Sequence, residues 1–217
     1  MSELIRKFTQ ELDECETILD LGVGTGRFAK PLQDAGFEVT GIDIGRRMID
    51  KAKEKDVSNL LLSDARFLPF KEGTFDAAIS IHVLHLVKEW EMALQEACRV
   101  TRDFLFSLLT SRRDPIREAY DHLLKKYGYE RRVPGKSEQE LRDLVNPVKS
   151  LFVCSYDTYA DQRLINLSQG TSSSSWHIPE DVNRRIVEQL RSQFADTTFR
   201  QDLHLIMWKI DDLKVIL

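Results

Sequence analysis

The stretch Thr17–Phe28, TILDLGVGTGRF, constrains this chain more than any other. Thr17, Ile18 and Leu19 lead into Asp20 and Leu21 with the look of a short buried strand. Gly22, Gly24 and Gly26 then follow at alternate positions, and a helix-like run begins at Arg27. A strand that breaks into a glycine-rich turn and then a helix lets a ligand lie against bare peptide, because glycine has no Cβ. The helix start adds unpaired N–H groups and a partial positive end. Pro31 fits the first turn of such a helix. A dinucleotide fingerprint needs G-x-G-x-x-G, but counted from Gly22 its third place is Arg27. The pattern here is an acid followed by three alternating glycines. The plain alternative is a loop that only packs a helix on a strand.

The 217 residues, 42% of them hydrophobic, suit one domain with a full-sized core and room for an appended subdomain. A formal charge of -4 makes the whole chain no general attractant for nucleic acid. Cys15, Cys98 and Cys154 are scattered, with no C-x-x-C pair. That argues against a zinc knuckle or a disulfide frame, so no metal is expected, and it fits a reducing cytoplasm. The first residues mix acids and bases without an apolar core of signal-peptide length. No apolar run approaches the roughly 18 residues of a membrane span.

Strand and helix patterns alternate through the first half. Leu4, Ile5, Phe8 and Leu12 mark an amphipathic helix, and Phe28, Leu32 and Ala35 mark a second that Gly36 ends. Strands are predicted at 37–42, 60–63, 75–81 and 103–110, with helices at 46–55 and 88–100. In those helices Met48, Ile49 and Ala52, then Met92, Leu94, Ala97 and Cys98, are expected to face inward. This rhythm predicts a parallel, doubly wound α/β sheet. Ligands of such sheets sit beyond the carboxyl ends of the strands. Four features fall there: the glycine loop, Asp43 after strand two, Asp64 after strand three, and Ser80–His85 after strand four. An acid like Asp43 can accept both hydroxyls of a ribose, and one like Asp64 can accept an adenine amino proton while Leu68, Pro69 and Phe70 flank the ring. The bland alternatives are a solvated turn acid and a turn cap.

Taken in order, ILDLGVGTGRF (18–28), VTGIDIGRRMIDKA (39–52), LLSDARFLPFKEGTFDAAISIHVLHLV (61–87) and ALQEACRV (93–100) resemble the class I S-adenosylmethionine-dependent methyltransferases, type 11, the group that includes ubiquinone and menaquinone biosynthesis enzymes. The likeness covers roughly the first half. It implies a seven-stranded, mostly parallel Rossmann-like sheet, with two strands added after the fifth, one of them antiparallel. It further implies that Gly22, Gly24 and Gly26 line the methionine part of S-adenosyl-L-methionine. Asp43 would hold the ribose, Ile44 would cover the adenine, and Asp64 with Ala65 would hold its edge. Asp20, Met48, Ser80, Ile81 and His82 complete the implied cofactor surroundings. The sequence departs from the family where RVTRDFLFSL runs into strand five without a Pro-Gly-Gly turn, which reads as a shortened connection. It also lacks the Asn/Asp-Pro-Pro-aromatic motif of enzymes that methylate exocyclic amino groups of bases.

One domain is expected over 1–217, with a cofactor half at 1–110, a helical cap at 111–147, and closing strands and helix at 148–217. Helices are predicted at 116–127, 137–145 (begun by a Ser137/Glu140 capping box) and from Pro179, with strands at 151–159 and 198–210. The polar run Ser168–Ser175 reads as a mobile entrance flap. Residues 111–136 hold eight Lys/Arg against four acids. They form either a landing surface for an anionic substrate or RNA, or an ordinary solvated helical face, which is the favoured reading. Tyr127 and Tyr129 could stack on a ring or fill the cap core.

Methyl transfer from a sulfonium needs the acceptor held in line about 3–3.5 Å away. A hydroxyl, thiol or acidic carbon also needs a base. His85, with His82 behind it, is the base candidate, against a reading in which both cap strand four and touch the cofactor. His177 is a weaker candidate, and His122 and His204 read as surface or packing residues. A small-molecule acceptor is expected, without a membrane partner. The runner-up is tRNA modification, since the 63–87 segment also resembles enzymes that methylate wobble carboxymethyl-uridine. The remaining alternatives are a non-catalytic cofactor-binding partner subunit and a nicotinamide enzyme, the latter disfavoured by the glycine spacing.

Overall fold

The computed structural model describes residues 2–12, 14–110, 114–169 and 177–217. The element order is α1 (Ser2–Glu11), β1 (Thr17–Leu21), α2 (Ala29–Asp34), β2 (Glu38–Asp43), α3 (Arg46–Lys53), β3 (Leu60–Leu62), β4 (Phe75–Ser80), a one-turn 3₁₀ helix (Leu84–Leu86), α4 (Trp90–Val100) and β5 (Thr101–Thr110). There follow α5 (Pro115–Lys126), α6 (Glu138–Leu144), β6 (Lys149–Tyr159), α7 (Ala160–Ser168), α8 (Glu180–Phe194), β7 (Thr198–Lys209) and α9 (Ile210–Lys214). The seven strands form one sheet in the order β3-β2-β1-β4-β5-β7-β6. β1 pairs in parallel with β2 on one side and β4 on the other, and β2–β3 and β4–β5 are parallel too. The strand order therefore reverses beside β1, which places its carboxyl end at the switch point of a doubly wound sheet. Among the described residues no helix is long and apolar enough to cross a membrane.

The chain divides into two compact units. The first comprises Met1–Leu109, Pro134–Cys154 and His204–Leu217; the second comprises Thr110–Val133 and Ser155–Leu203. The boundary between the units falls at Val133, inside the stretch expected as a cap, 111–147, and α6 lies in the first unit. The capping box at its start is formed as read: Ser137 Oγ accepts from the Glu140 N–H, and Glu140 Oε2 accepts from the Ser137 N–H.

In the first unit the inner strands are buried, as β1 and β4 predict from their apolar runs. Their core includes Leu19, Leu21, Ile42, Ala78, Leu94, Leu105, Ile206 and Trp208, whose indole N–H donates to Val145 O at 2.9 Å. Met92, expected inside, is 40% exposed, because the buried face of α4 runs through Ala93, Leu94, Ala97 and Cys98 instead. The missing glycine turn before β5 is real: α4 ends at Val100 and β5 starts at Thr101. A one-residue bulge absorbs the abrupt join, since Phe75 opposes Thr101 while Ala77 opposes Phe104. Asp76 clamps this corner by accepting from the Glu16 and Thr17 N–H groups, the Thr17 hydroxyl and Arg102.

The second unit has its own core of Ile116, Tyr120, Leu124, Ala160, Leu164, Ile178, Ile186, Val187 and Leu190, with Tyr127 and Tyr129 packed against it. The Tyr120 hydroxyl donates to Asn183 Oδ1 at 2.7 Å, and Asn183 Nδ2 donates to Leu167 O at 2.9 Å, so one half-buried amide ties α5, α8 and α7 together. The short helices α7 and α9 carry no start signal that the sequence reading recognised, and each directly continues a strand. The expected flap at 168–175 lies, from Gly170 on, outside the described residues.

Two expectations follow. Gly135 donates to His85 O at 3.1 Å, and a Cβ built on it would sit 1.9 Å from Leu84 O and 2.2 Å from Val87 O. Both neighbours are backbone, so Gly135→Ala should cost about 2 kcal/mol or more in a denaturant melt, as an overpacked site does. Asp20 lies in the middle of the sheet, 4% exposed, with Oδ2 unpartnered. Burial and the neighbouring Asp43 carboxylate push its pKa up to about 7 from 3.8, against an opposing hydrogen bond from the Ala29 N–H. Between those values the folded chain holds a proton that the unfolded chain has released. Stability therefore falls as pH rises from 3.8 to about 7 and levels off above. Asp20→Asn should melt higher than wild type at pH 7.5, by at most about 4 kcal/mol, with the advantage vanishing toward pH 4. Identical pH slopes for the two proteins would mean the buried carboxyl is ionised in the fold.

Candidate functional site

The carboxyl ends of β1, β2, β3 and β4 open onto a cavity of about 540 Å³ in the first unit. Gly22 and Gly24 line it from β1, Ile42, Asp43 and Ile44 from β2, and Met48 from α3. Ser63, Asp64, Ala65 and Arg66 follow β3; His82, Val83 and Leu86–Glu89 follow β4.

The glycines serve different ends. Gly22, Gly24 and Gly26 all have positive φ. A Cβ on Gly22 would meet Val83 at 2.4 Å, and one on Gly26 would meet Val57 at 2.4 Å, so these two are packing constraints as well. A Cβ on Gly24 would have only Gly22 O near it, at 4.0 Å. Gly24 therefore leaves open space at the cavity wall, the shape that a ligand lying on bare peptide requires.

Asp43 ties the wall together. Its Oδ2 accepts from the Gly24 N–H at 2.9 Å and its Oδ1 from the Gly45 N–H at 2.7 Å. Each oxygen keeps a lone pair for a ligand hydroxyl. Asp64 is engaged differently. Arg66 Nη2 donates to its Oδ2 at 2.6 Å, Arg66 Nε lies 3.1 Å from both oxygens, and the Arg66 N–H donates to Oδ1 at 2.9 Å. That guanidinium holds the Asp64 carboxyl below its usual range. Its Nη1 reaches Glu89 Oε2 at 2.8 Å, so Arg66 joins the tip of β3 to the start of α4. Ile44 is 72% exposed at the cavity, a large apolar side chain with nothing over it.

Of the residues singled out from sequence, Gly22, Gly24, Asp43, Ile44, Met48, Asp64, Ala65 and His82 line the cavity. Asp20 lies buried beneath the loop, Gly26 packs on Val57, and Ser80 is buried in β4 with its hydroxyl unpartnered. Ile81 is half-buried just past β4 and, with these three, is not among the lining residues. The two histidines exchange places. His82 lines the cavity, whereas His85, half-buried on the 3₁₀ turn, does not. The cause is backbone: His82 has φ 60, a left-handed residue that turns the chain at the strand tip. Residues 82 and 85 then stand edge to face, ring centroids 6.2 Å apart.

Sequence reasoning passed over Arg66, Glu89 and Glu138. Arg66 follows the Asp64 motif by two residues, a spacing that could have signalled a local ion pair. Glu138 reaches the site across 56 residues: its Oε1 accepts from the His82 N–H at 2.7 Å and lies 3.7 Å from His82 Nδ1. No local pattern announces that contact. His177 Nε2 lies 2.8 Å from Glu130 O in the second unit, and His204 stacks edge-on against Phe152 in the first.

Residues 19–103 match the family model of the methyltransferase domain, type 11. The phosphatidylethanolamine N-methyltransferase of Cereibacter sphaeroides is 37% identical over 92 residues, 39% of this chain and 45% of that one. The demethylmenaquinone methyltransferase of Renibacterium salmoninarum is 35% identical over 89 residues, 40% of this chain and 37% of that one. The chain thus spans less than half the length of these curated relatives. The solved YcgJ protein of Bacillus subtilis superposes with a TM-score of 0.60 at 20% identity, covering 95% of this chain and 97% of that one, which is a likeness of fold. The glycine loop, both strand-tip acids and the β4 tip all fall inside residues 19–103, the segment that is similar to the methyltransferase domain, type 11.

Proposed function

We propose that this chain is an S-adenosylmethionine-dependent methyltransferase that acts on a small-molecule acceptor. The observation that carries the reading is the convergence on one cavity of the open wall at Gly24, the Asp43 carboxylate and the Asp64 carboxylate. Gly22 and Gly24, with Gly26 shaping the turn, would hold the methionine part. Asp43 would accept the ribose hydroxyls on its free lone pairs, and Ile44 would cover one face of the adenine. Asp64 and Ala65 would hold the edge of the base, sharing the carboxylate with Arg66. Asp20 lies buried beneath the loop with its Oδ2 unpartnered, and Met48, Ser80, Ile81 and His82 would complete the surroundings. When bound, the cofactor supplies a methyl group on a sulfonium, which leaves as an acceptor lone pair forms the new bond and the S–C pair returns to sulfur.

His82 is the base that this geometry favours over His85, because it lines the cavity. Leu86, Val87 and Ile44 give the surroundings an apolar character, which helps a reaction that disperses positive charge. The basic stretch 111–136 supports a small acceptor more than RNA. Arg131, 17% exposed, is paired with Asp121 through Nε and Nη2, and Lys125 lies 4.0 Å from Glu130 Oε1. Lys136 sits over the Trp90 ring, 5.4 Å from its centroid. Arg112 and Arg113 lie outside the described residues.

Calorimetry and thermal shift with S-adenosylhomocysteine test the cofactor. Wild type should bind and be stabilised, NAD should do neither, and Asp43→Ala or Asp64→Ala should each weaken binding at least tenfold, about 1.4 kcal/mol. Full affinity in both variants would end this reading, and stabilisation by NAD instead would replace it with a nicotinamide enzyme. Binding without turnover over a broad acceptor panel would make the chain a cofactor-binding partner subunit. For the acceptor, turnover by wild type should be nearly insensitive to salt between 50 and 200 mM and to the double change Arg131→Ala, Arg132→Ala. A steep loss in either case would point to tRNA.

A further inference from the structure

Glu138 is a carboxylate that local sequence gave no reason to bury. It opens α6, its side chain is 11% exposed, and it stands at the tip of β4. Burial on its own would raise its pKa, but its interactions with His82 outweigh that and hold it below the usual carboxylate range. An ionised, nearly buried carboxylate needs partners that reward its charge. The side that faces it is His82: the backbone N–H at 2.7 Å and ring Nδ1 at 3.7 Å. The other titratable groups around it are the His85 ring, 6.2 Å away between centroids, and Lys88 and Glu89, which line the same cavity.

The way Glu138 is delivered is equally specific. Gly135 donates to His85 O within the turn that follows β4 and has no room for a side chain. Three residues later α6 begins, capped by Ser137 and Glu140. The start of α6 is therefore pinned to the same turn that carries His82. The backbone bond also supports the left-handed conformation of His82, which aims the chain at the cavity.

We infer that Glu138 is the positioning residue of His82, so that His82 and Glu138 act as a carboxylate–imidazole pair at the methyl-acceptor end of the cavity. The inference rests on the methyltransferase reading above. Glu138 favours the tautomer with the proton on Nδ1, leaving the Nε2 lone pair for the acceptor. As a hydroxyl, thiol or acidic-carbon acceptor takes the methyl, its proton passes to His82 Nε2. The imidazole would thereby gain a positive charge, with Glu138 ionised beside it. The 3.7 Å separation from Nδ1 is ion-pair distance, looser than a hydrogen bond, as acid–base pairs often are before substrate enters.

Glu138→Gln separates this role from a scaffold role, because the amide oxygen can still accept from the His82 N–H while the charge is gone. In protein labelled with ¹⁵N-histidine, the His82 ring of wild type should show the Nδ1–H tautomer in excess, and Glu138→Gln should collapse that excess. S-Adenosylhomocysteine affinity should stay within twofold in both. With an accepted small molecule, Glu138→Gln should lower kcat about tenfold or more in wild type and have no further effect in a His82→Gln background. Unchanged His82 resonances in Glu138→Gln, or equal kcat losses in the two backgrounds, would overturn the inference. Loss of cofactor binding by wild type would instead fail the methyltransferase reading, while the tautomer comparison would still decide what Glu138 does to His82.

Discussion

The carboxylate of Asp43 is the interaction on which the candidate site depends. One oxygen holds the glycine loop after β1 through the Gly24 N–H, and the other holds the start of α3 through the Gly45 N–H. Both are charge-assisted bonds to backbone, stronger than bonds between neutral groups. They join two consecutive βα turns of parallel neighbours, so the loop is set by the strand beside it as well as by its own glycines. The same group both shapes the wall and faces the space within it. Its charge reaches downward too, since it helps keep the buried Asp20 carboxyl protonated. Burial is the larger reason that Asp20 keeps its proton, and the Asp43 charge adds to it.

Much of this was legible in the sequence. β1 and β4 are buried on both faces and therefore read as apolar runs, while the glycine spacing and the acids ending β2 and β3 give positions that a switch-point sheet brings together. What escaped notice depends on contacts between distant residues or on unusual backbone. Glu138 meets His82 across 56 residues, and no window of the sequence contains both. Nothing in HVLH signals a left-handed residue at His82, so the sequence did not show that His82 and not His85 would line the cavity. Met92 was assigned inward from an α4 pattern in which apolar residues occupy more than one face. α7 and α9 begin where strands end, with no side-chain cap to announce them. Arg131 counted as one charge in a basic run, whereas its fork is already closed on Asp121.

The two units divide the chemistry of the chain in an informative way. The family match ends at residue 103, and everything in the second unit lies beyond it. That unit is nonetheless a built structure. It has an apolar core, the Asn183 amide bridging three helices, and the Arg163–Asp114 pair at the start of α5, where Asp114 also caps the helix by accepting from the Arg117 N–H. Pro134–Cys154 returns the chain to the first unit and carries Glu138 with it. The residue inferred to position His82 thus comes from a segment outside the family match, on a helix of only seven residues held by one glycine and one capping box.

The ion pair between Asp64 and Arg66 has a consequence for selectivity. The acid that would recognise a purine edge is already gripped by a planar cation, one guanidinium shared between Asp64 and Glu89. A visitor must offer a hydrogen-bond donor good enough to share or displace the guanidinium, while the link to Glu89 keeps that arginine from swinging away freely. A flat heterocycle carrying an amino group gains both the donor contact and a surface on which the displaced arginine can stack. For a ligand of that shape and polarity the internal bridge would act as a decoy to be dislodged on entry.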